Sequence, residues 1–325
     1  MREKIVNLLL NSDLEFISGE EISKQLGISR TAVWKHINVL KEQGYEIESV
    51  NKKGYRLKES PNDILSKENI LHNLKTKFIG KEIIHFDSID STNNYAKSIA
   101  NEATDGTVIL SEEQVSGRGR LGKCWHSEKH EGIWMSIILK PNILPMDAPF
   151  ITLVAGASIV KALRNLGVEA TIKWPNDIVL NKKKVCGILT EMSAEMDYIH
   201  YVVIGMGINV NTTEFDDSIK ATASSLYLET GDHLKRSRIV AAFSESFAKY
   251  YDTFVKTQNL AGLNEDYNSM LVNKGGDVKA IYADREIVGK ALGINDEGEL
   301  IIKTDEGEKI IRTGEVSVRG LYGYV

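Results

Sequence analysis

Hydrophobic residues along this chain change their spacing twice, and each change narrows the fold. Up to Leu40 they recur at helical intervals: Ile5, Leu8 and Leu9, then Glu20–Leu26, then Val33, Ile37 and Leu40 at i, i+4 and i+7. Ser18 followed by Glu21 is a capping box, Gly27 stands where a helix-closing glycine belongs, Ser29 can cap the next helix and Gly44 ends it. Tyr45–Val50 and Gly54–Lys58 then alternate around Asn51-Lys52-Lys53-Gly54, a tight basic hairpin. The polar stretch Glu59-Ser60-Pro61-Asn62-Asp63 breaks the pattern and reads as a linker.

From about 65 to 270 the two periods mix. Ser91–Ala103 is helical behind an Asp90/Ser91 cap, and Pro149–Leu166, with Gly167 beyond it, is a buried helix. Val108–Ser111, Trp134–Leu139, Ile172–Trp174, Ile178–Leu180, Val185–Thr190 and Tyr201–Val210 read as strands. Their hairpin-like neighbours, rather than regular βαβ units, predict an α+β mixed sheet. The last stretch, 271–325, is short strands separated by Asp296-Glu297-Gly298 and Asp305-Glu306-Gly307, which suits a small β-barrel. The expected domains are therefore 1–60, 65–270 and 271–325.

Forty Lys and Arg against forty-five Asp and Glu leave the 325-residue chain at −5, so it is no general polycation. Residues 22–58 run the other way, with eight cations against three acids. Cys124 and Cys186 form no CxxC, so neither a zinc ribbon nor a disulfide framework is indicated. Ile5–Leu10 is too short for a secretory core, and the apolar run around Phe150–Val160 falls short of the ~18 residues a bilayer needs. These features predict a soluble, cytoplasmic protein.

Helix–turn–helix followed by a basic hairpin is the winged-helix pattern. With Val33, Ile37 and Leu40 inward, Arg30, Thr31 and Lys35 point outward, where a helix N-terminus meets the DNA major groove. Lys52 and Lys53 at the wing tip would neutralise flanking phosphates. A three-helix protein-contact domain is the alternative.

Gly117-Arg118-Gly119-Arg120-Leu121-Gly122 fits G-x-G-x-x-G, but no helical stripe follows it, and interleaved arginines do not suit a pyrophosphate turn. It reads either as a loop that closes over an anion, with arginine forking onto carboxylate or phosphate, or as a solvated surface loop. Lys173-Trp174-Pro175-Asn176-Asp177 gathers an aromatic, an amide and a carboxylate at one strand end. One lysine of Asn181-Lys182-Lys183-Lys184 can return toward that corner, unless the turn is an ordinary exposed tip. Gly205-Met206-Gly207-Ile208-Asn209 puts glycines inside an apolar strand, a sign of close approach by a ligand or of a bulge. His126 and His130 lack the neighbours a metal site needs, and no metal ligand set is assigned.

In order and spacing, these segments resemble the bifunctional biotin–protein ligase and biotin operon repressor family. The shared signs are the winged helix, Ser91-Thr92-Asn93, Gln114 before Gly117–Gly122, Lys173–Asp177, Lys184 before Gly187-Ile188-Leu189, Gly205–Asn209, and Gly314-Glu315-Val316-Ser317-Val318-Arg319. The resemblance implies a central ligase domain and a C-terminal SH3-like barrel. It implies ATP, Mg²⁺ and biotin, whose carboxylate attacks the α-phosphate to give biotinyl-5′-AMP. The acyl group then passes to a lysine of a carboxylase carrier domain, and the adenylate-bound enzyme dimerises and, at operator DNA, represses biotin-synthesis genes.

By the same resemblance, Ser91, Thr92 and Gln114 hold the ureido end of biotin, and Asn93, Gly119 and the backbone at Gly205 and Gly207 line its pocket. Trp125 packs against the ligand, and Lys184 bridges carboxylate and α-phosphate. Asn209, Lys279 and Arg319 fall on the ATP side. Around 211–225 Phe215 is the aromatic offered, where the family's best-known member has tryptophan, so no adenine-stacking residue is assigned.

The chemistry suits these residues. A carboxylate needs no base to attack, but it repels triphosphate by about 4 kcal/mol per unit pair at 4 Å and an effective dielectric near 20. Arg118, Arg120 and Lys184 are the cations that offset this, with Lys184, Arg118 and Asp177 as the catalytic set. An acceptor lysine near pKa 10.4 must lose a proton, and Asp177 is the group to attract it. A ligand-sensing regulator without ligase activity and a lipoate ligase are the rival readings.

Overall fold

The computed structural model describes the chain apart from residues 11–15, 43–44, 60–62, 64, 66, 315 and 322. Met1–His72 and Asn73–Val325 form two compact units. In the first, α1 (Arg2–Leu10), α2 (Gly19–Leu26) and α3 (Arg30–Glu42) precede β1 (Glu46–Val50) and β2 (Gly54–Glu59). The caps form as the sequence indicates. Ser18 Oγ accepts the Glu21 amide at 3.0 Å, Gly27 closes α2 at a φ of 64°, and Ser29 Oγ accepts the Ala32 amide at 3.2 Å. Each satisfies a helix-end group that would otherwise lack a partner. Val33, Ile37 and Leu40 are buried with Ile5, Val6, Ile22 and Ile47 in one core. Gly44 and the Ser60–Asn62 part of the expected linker lie outside the described residues. The division between the units falls in α4 (Lys67–Asn73).

The second unit continues with β3 (Ile83–Phe86), α5 (Thr92–Ile99), β4 (Thr107–Ser111), β5 (Gly132–Leu139) and α6 (Phe150–Asn165). β6 (Thr171–Lys173), β7 (Asp177–Leu180), β8 (Lys183–Ala194) and β9 (Ile199–Asn209) follow, then α7 (Leu226–Thr230), α8 (Arg236–Thr257) and α9 (Asn264–Met270). Seven strands form one mixed sheet in the order β3-β4-β5-β9-β8-β7-β6. Every pairing is antiparallel except β3 with β4, which α5 connects as a single βαβ unit. α4, β3, α7, α8 and α9 are additional to the elements expected. α5 stops at Ile99 rather than Ala103, because the Glu102 and Ala103 amides both turn back to the Ile99 carbonyl.

α6 packs on β6, β7, β8 and α8 and is apolar nearly all round, as a helix enclosed on every side must be. Pro145–Asn165 is in fact long and apolar enough to cross a bilayer, contrary to the expectation from Phe150–Val160, but 67% of its apolar window is buried inside the protein. α8 is anchored to the sheet by a buried ion pair. Arg236 Nη1 lies 2.7 Å from Glu112 Oε2 and 2.9 Å from the Gly132 carbonyl. Burial alone would raise the Glu112 carboxyl. The His85 hydrogen bond and the Arg236 charge outweigh it and hold that group down at about 2. His130 Nδ1 sits 3.1 Å from the same carboxylate.

β10 (Asp277–Ile281), β11 (Glu286–Ile294), β12 (Leu300–Thr304), β13 (Gly307–Ile311) and β14 (Ser317–Gly320) form a second, antiparallel sheet in the order β13-β12-β11-β10-β14. The two Asp-Glu-Gly segments lie at the β11–β12 and β12–β13 turns.

Candidate active site

Register along β5, β9 and β8 builds the floor of a cavity. Gly207 lies opposite Gly187 on β8, and Gly205, two residues back on the same face, lies opposite Leu189 and Ser136. Three neighbouring positions at the middle of the sheet thus carry no side chain. Other groups occupy the space. A Cβ on Gly205 would collide with the Asn93 amide, and one on Gly207 with the Trp125 indole. Close approach, not a bulge, explains these glycines.

α5 supplies one wall. Ser91 caps it, and Gln114 Oε1 accepts from the Thr92 amide at 2.9 Å and from Thr92 Oγ1 at 3.0 Å. Ser136 Oγ donates to Asn93 Oδ1 at 2.6 Å, while Asn93 Nδ2 donates to Glu191 at 2.8 Å. Lys97 also reaches Glu191, at 2.6 Å, so this polar wall is held from behind.

The Gly117–Gly122 loop forms the opposite wall. It has a single 3₁₀ turn at Arg120–Gly122 and no α-helix after it, so the dinucleotide-turn reading is excluded. Gly119 N donates to Lys123 O at 2.7 Å and Trp125 N to Gly117 O at 2.9 Å, making a small closed arch. Arg120 Nη1 donates to Asn176 Oδ1 at 2.7 Å and Nη2 to the Gly314 carbonyl. Burial pulls the Arg120 guanidinium below its usual value, with the Asp177 charge acting the other way. Trp125 Nε1 is buried and lacks a hydrogen-bond partner among the described residues. What remains between the walls is a cavity of about 50 Å³.

At its side lies a charge cluster. Lys184 Nζ is 2.6 Å from Asp177 Oδ1 and 5.1 Å above the Trp125 ring. Lys173 Nζ is 3.6 Å from Asp177 Oδ2, to which the Tyr324 hydroxyl donates at 2.6 Å. Burial would raise Asp177, but Lys184, Lys173 and Tyr324 outweigh it and keep its pKa low, so the group is a carboxylate. Burial lowers Lys173, and burial with the neighbouring Asp177 charge pushes the Tyr324 phenol far up, leaving it a pure donor.

Ser91, Thr92, Asn93, Gln114, Arg118, Gly119, Arg120, Trp125, Lys184, Gly205 and Gly207 all line this one cavity. Asp177 adjoins it through Lys184. Three residues expected on the ATP side stand apart from the lining. Asn209 gives its amide to the Ser224 carbonyl at 3.0 Å, and Lys279 and Arg319 are register partners on β10 and β14. Trp174 does not join the corner that sequence placed it in. It is fully buried, with its indole N–H on the Gly298 carbonyl at 3.1 Å. Sequence reasoning missed Tyr324 and the role of Asn176, whose amide also donates to the Ile188 carbonyl at 3.1 Å. In the first unit Arg30, Thr31, Lys35, Lys52 and Lys53 are all exposed.

The Biotin/lipoate A/B protein ligase family matches residues 85–209, an HTH domain matches residues 1–56, and the Biotin protein ligase C terminal domain matches residues 275–319. The chain is 41% identical over 308 residues to the bifunctional ligase/repressor BirA of Bacillus spizizenii, covering 94% of each. It is 32% identical over 319 residues to that of Escherichia coli, 97% of this chain and 96% of the other. Among solved structures, the biotin protein ligase of Aquifex aeolicus in complex with biotin and ATP matches with a TM-score of 0.65 at 30% identity, over 74% of this chain and 99% of its own.

Proposed function

The chain belongs to the bifunctional biotin–protein ligase and biotin operon repressor family, and from that premise we propose how its own residues carry the two activities. It is an ATP-dependent biotin ligase and a repressor with a helix-turn-helix DNA-binding domain. In the first step a biotin carboxylate oxygen bonds to the α-phosphorus of ATP and pyrophosphate leaves. In the second, an amine of a carrier-domain lysine bonds to the acyl carbon, AMP leaves, and the amine gives up a proton.

Thr92 and Gln114, with Ser91, hold the ureido end against the glycine floor, and Trp125 covers the ring system. Lys184 turns from Asp177 to the ligand carboxylate and α-phosphate, while Arg118 and Arg120 face the phosphates. Positioning and electrostatic stabilisation by these cations lower the barrier. That turn releases Asp177 Oδ1 to receive the incoming ammonium of the acceptor lysine. Asn209, Lys279 and Arg319 serve the nucleotide end. Among the described residues no group of three or more His, Cys, Asp or Glu could hold a metal ion. Mg²⁺ would accompany ATP, and no step is assigned to it.

Residues 1–60 form the DNA-binding domain, 65–270 the catalytic domain and 271–325 an SH3-like barrel. Arg30, Thr31 and Lys35 enter the major groove and Lys52 and Lys53 contact phosphates, in a cytoplasmic protein that dimerises when the adenylate is bound. The observation that carries the ligase reading is the Lys184–Asp177 pair beside a side-chain-free sheet floor, under a loop bearing Arg118 and Arg120. Transfer of labelled biotin onto a carrier domain, run beside Arg118→Ala and Lys184→Ala, tests it. Adenylate formation is expected to fall about 10²–10³-fold in each variant. Unchanged rates would remove the cations from the mechanism.

A further inference from the structure

Trp34 is the bulkiest exposed apolar side chain among the described residues of the first unit, with 55% of its surface in water. It is not there for the core. α3 buries Val33, Ile37 and Leu40, so Arg30 and Trp34, one helical turn apart, and Thr31 and Lys35 beside them, share the outward side. An indole set among cations is unusual for a face that meets only solvent.

The groove it borders is held open by the backbone. Arg30, Thr31, Trp34, Asn51, Lys52 and Tyr55 line a concavity of about 770 Å³ between α3 and the wing. Ile17 and Tyr55 exchange backbone hydrogen bonds at 2.9 and 2.8 Å, which fixes the wing against the start of α2. Gly54, at a φ of 115°, passes so close to the Ile17 carbonyl that a Cβ would collide with it. The charged groups on this lining are Arg30 and Lys52, with Glu20 the acid beside them. Lys35 and Lys53 extend the positive excess at its margins. A polyanion is the partner this charge suits.

Cations alone give register and affinity on DNA but little choice of sequence. The major-groove edge of a base pair offers one apolar group, the C5-methyl of thymine. We propose that Trp34 packs its indole face on a thymine methyl and so determines sequence choice at one position of each half-site. This inference rests on the DNA-binding reading above and names a contact that the reading leaves open.

The test uses the full chain with biotin and ATP, and duplexes selected by it from a randomised library. Each thymine of the enriched half-site is replaced singly by uracil, which deletes the methyl group and keeps the base pair. One replacement is expected to weaken binding by the unaltered protein about three- to fivefold. Trp34→Ala should bind thymine and uracil alike at that position, and Trp34→Phe should keep part of the difference. Both variants should keep the slope of log affinity against log salt, because no cation is lost. Equal binding of thymine and uracil duplexes by the unaltered protein at every position overturns the inference, as does a full methyl preference in Trp34→Ala. A library from which nothing is enriched removes the DNA-reading function and this inference together, whereas enrichment without methyl dependence removes the inference alone.

Discussion

Lys184 and Asp177 face each other across adjacent strands, β8 and β7, and each neutralises the other at 2.6 Å. A side chain so engaged is positioned before substrate arrives, which avoids the entropy of recruiting a free one. Asp177→Asn tests the division of labour. The amide keeps the shape but cannot draw in an acceptor ammonium, so adenylate formation should persist while single-turnover transfer to a carrier domain slows by about 10² or more. An equal fall in both steps would contradict the role given to Asp177. The turn left open which lysine of 182–184 returns to the Pro-Asn-Asp corner, and the family resemblance singled out Lys184. Tyr324 was not, because nothing local ties it to a carboxylate 147 positions away. Trp174 misled for the opposite reason: its neighbours in sequence are site residues, but its ring is directed into the core.

At the level of elements, the sheet makes the site by leaving side chains out. The Gly-x-Gly spacing in β9 left close approach and a bulge both open, and Gly187 acquires its meaning once β8 is paired opposite Gly207. Gly207→Ala inserts a methyl group where the Trp125 indole rests. The expected cost is overpacking of roughly 1–3 kcal/mol at that contact. Biotin affinity should fall about tenfold or more by calorimetric titration while circular dichroism keeps the native spectrum; undiminished affinity would mean that Trp125 does not cover the ligand. α8 carries a clear stripe at Ile239, Phe243, Phe247, Tyr250 and Phe254, so its signal was present in the sequence. β3 is different. Four residues of mixed burial ahead of a polar turn do not separate a strand from a loop by periodicity.

For the whole molecule, the loop over the cavity is where we expect vitamin and gene to be linked. Arg118, Gly119, Arg120 and Trp125 share the lining of a cavity of about 50 Å³, smaller than a biotinyl adenylate, so this loop is expected to move when that ligand binds. That rearrangement is expected to favour a symmetric dimer that offers two winged helices to paired half-sites. Sedimentation with and without biotin plus ATP reads it directly: a ligand-dependent shift toward dimer is the expected result, and equal dimerisation in both conditions would uncouple the two activities. The broad architecture was readable because three regimes of spacing follow one another without overlap. The grip on the loop was not, since Arg120 holds Asn176 on one side and the Gly314 carbonyl, far along the chain, on the other. That single guanidinium therefore works as a latch. A mixed anhydride is perishable in water, so a loop that fastened again at these two points once the adenylate was bound would slow its loss, and the segment around Gly314 would share in that protection.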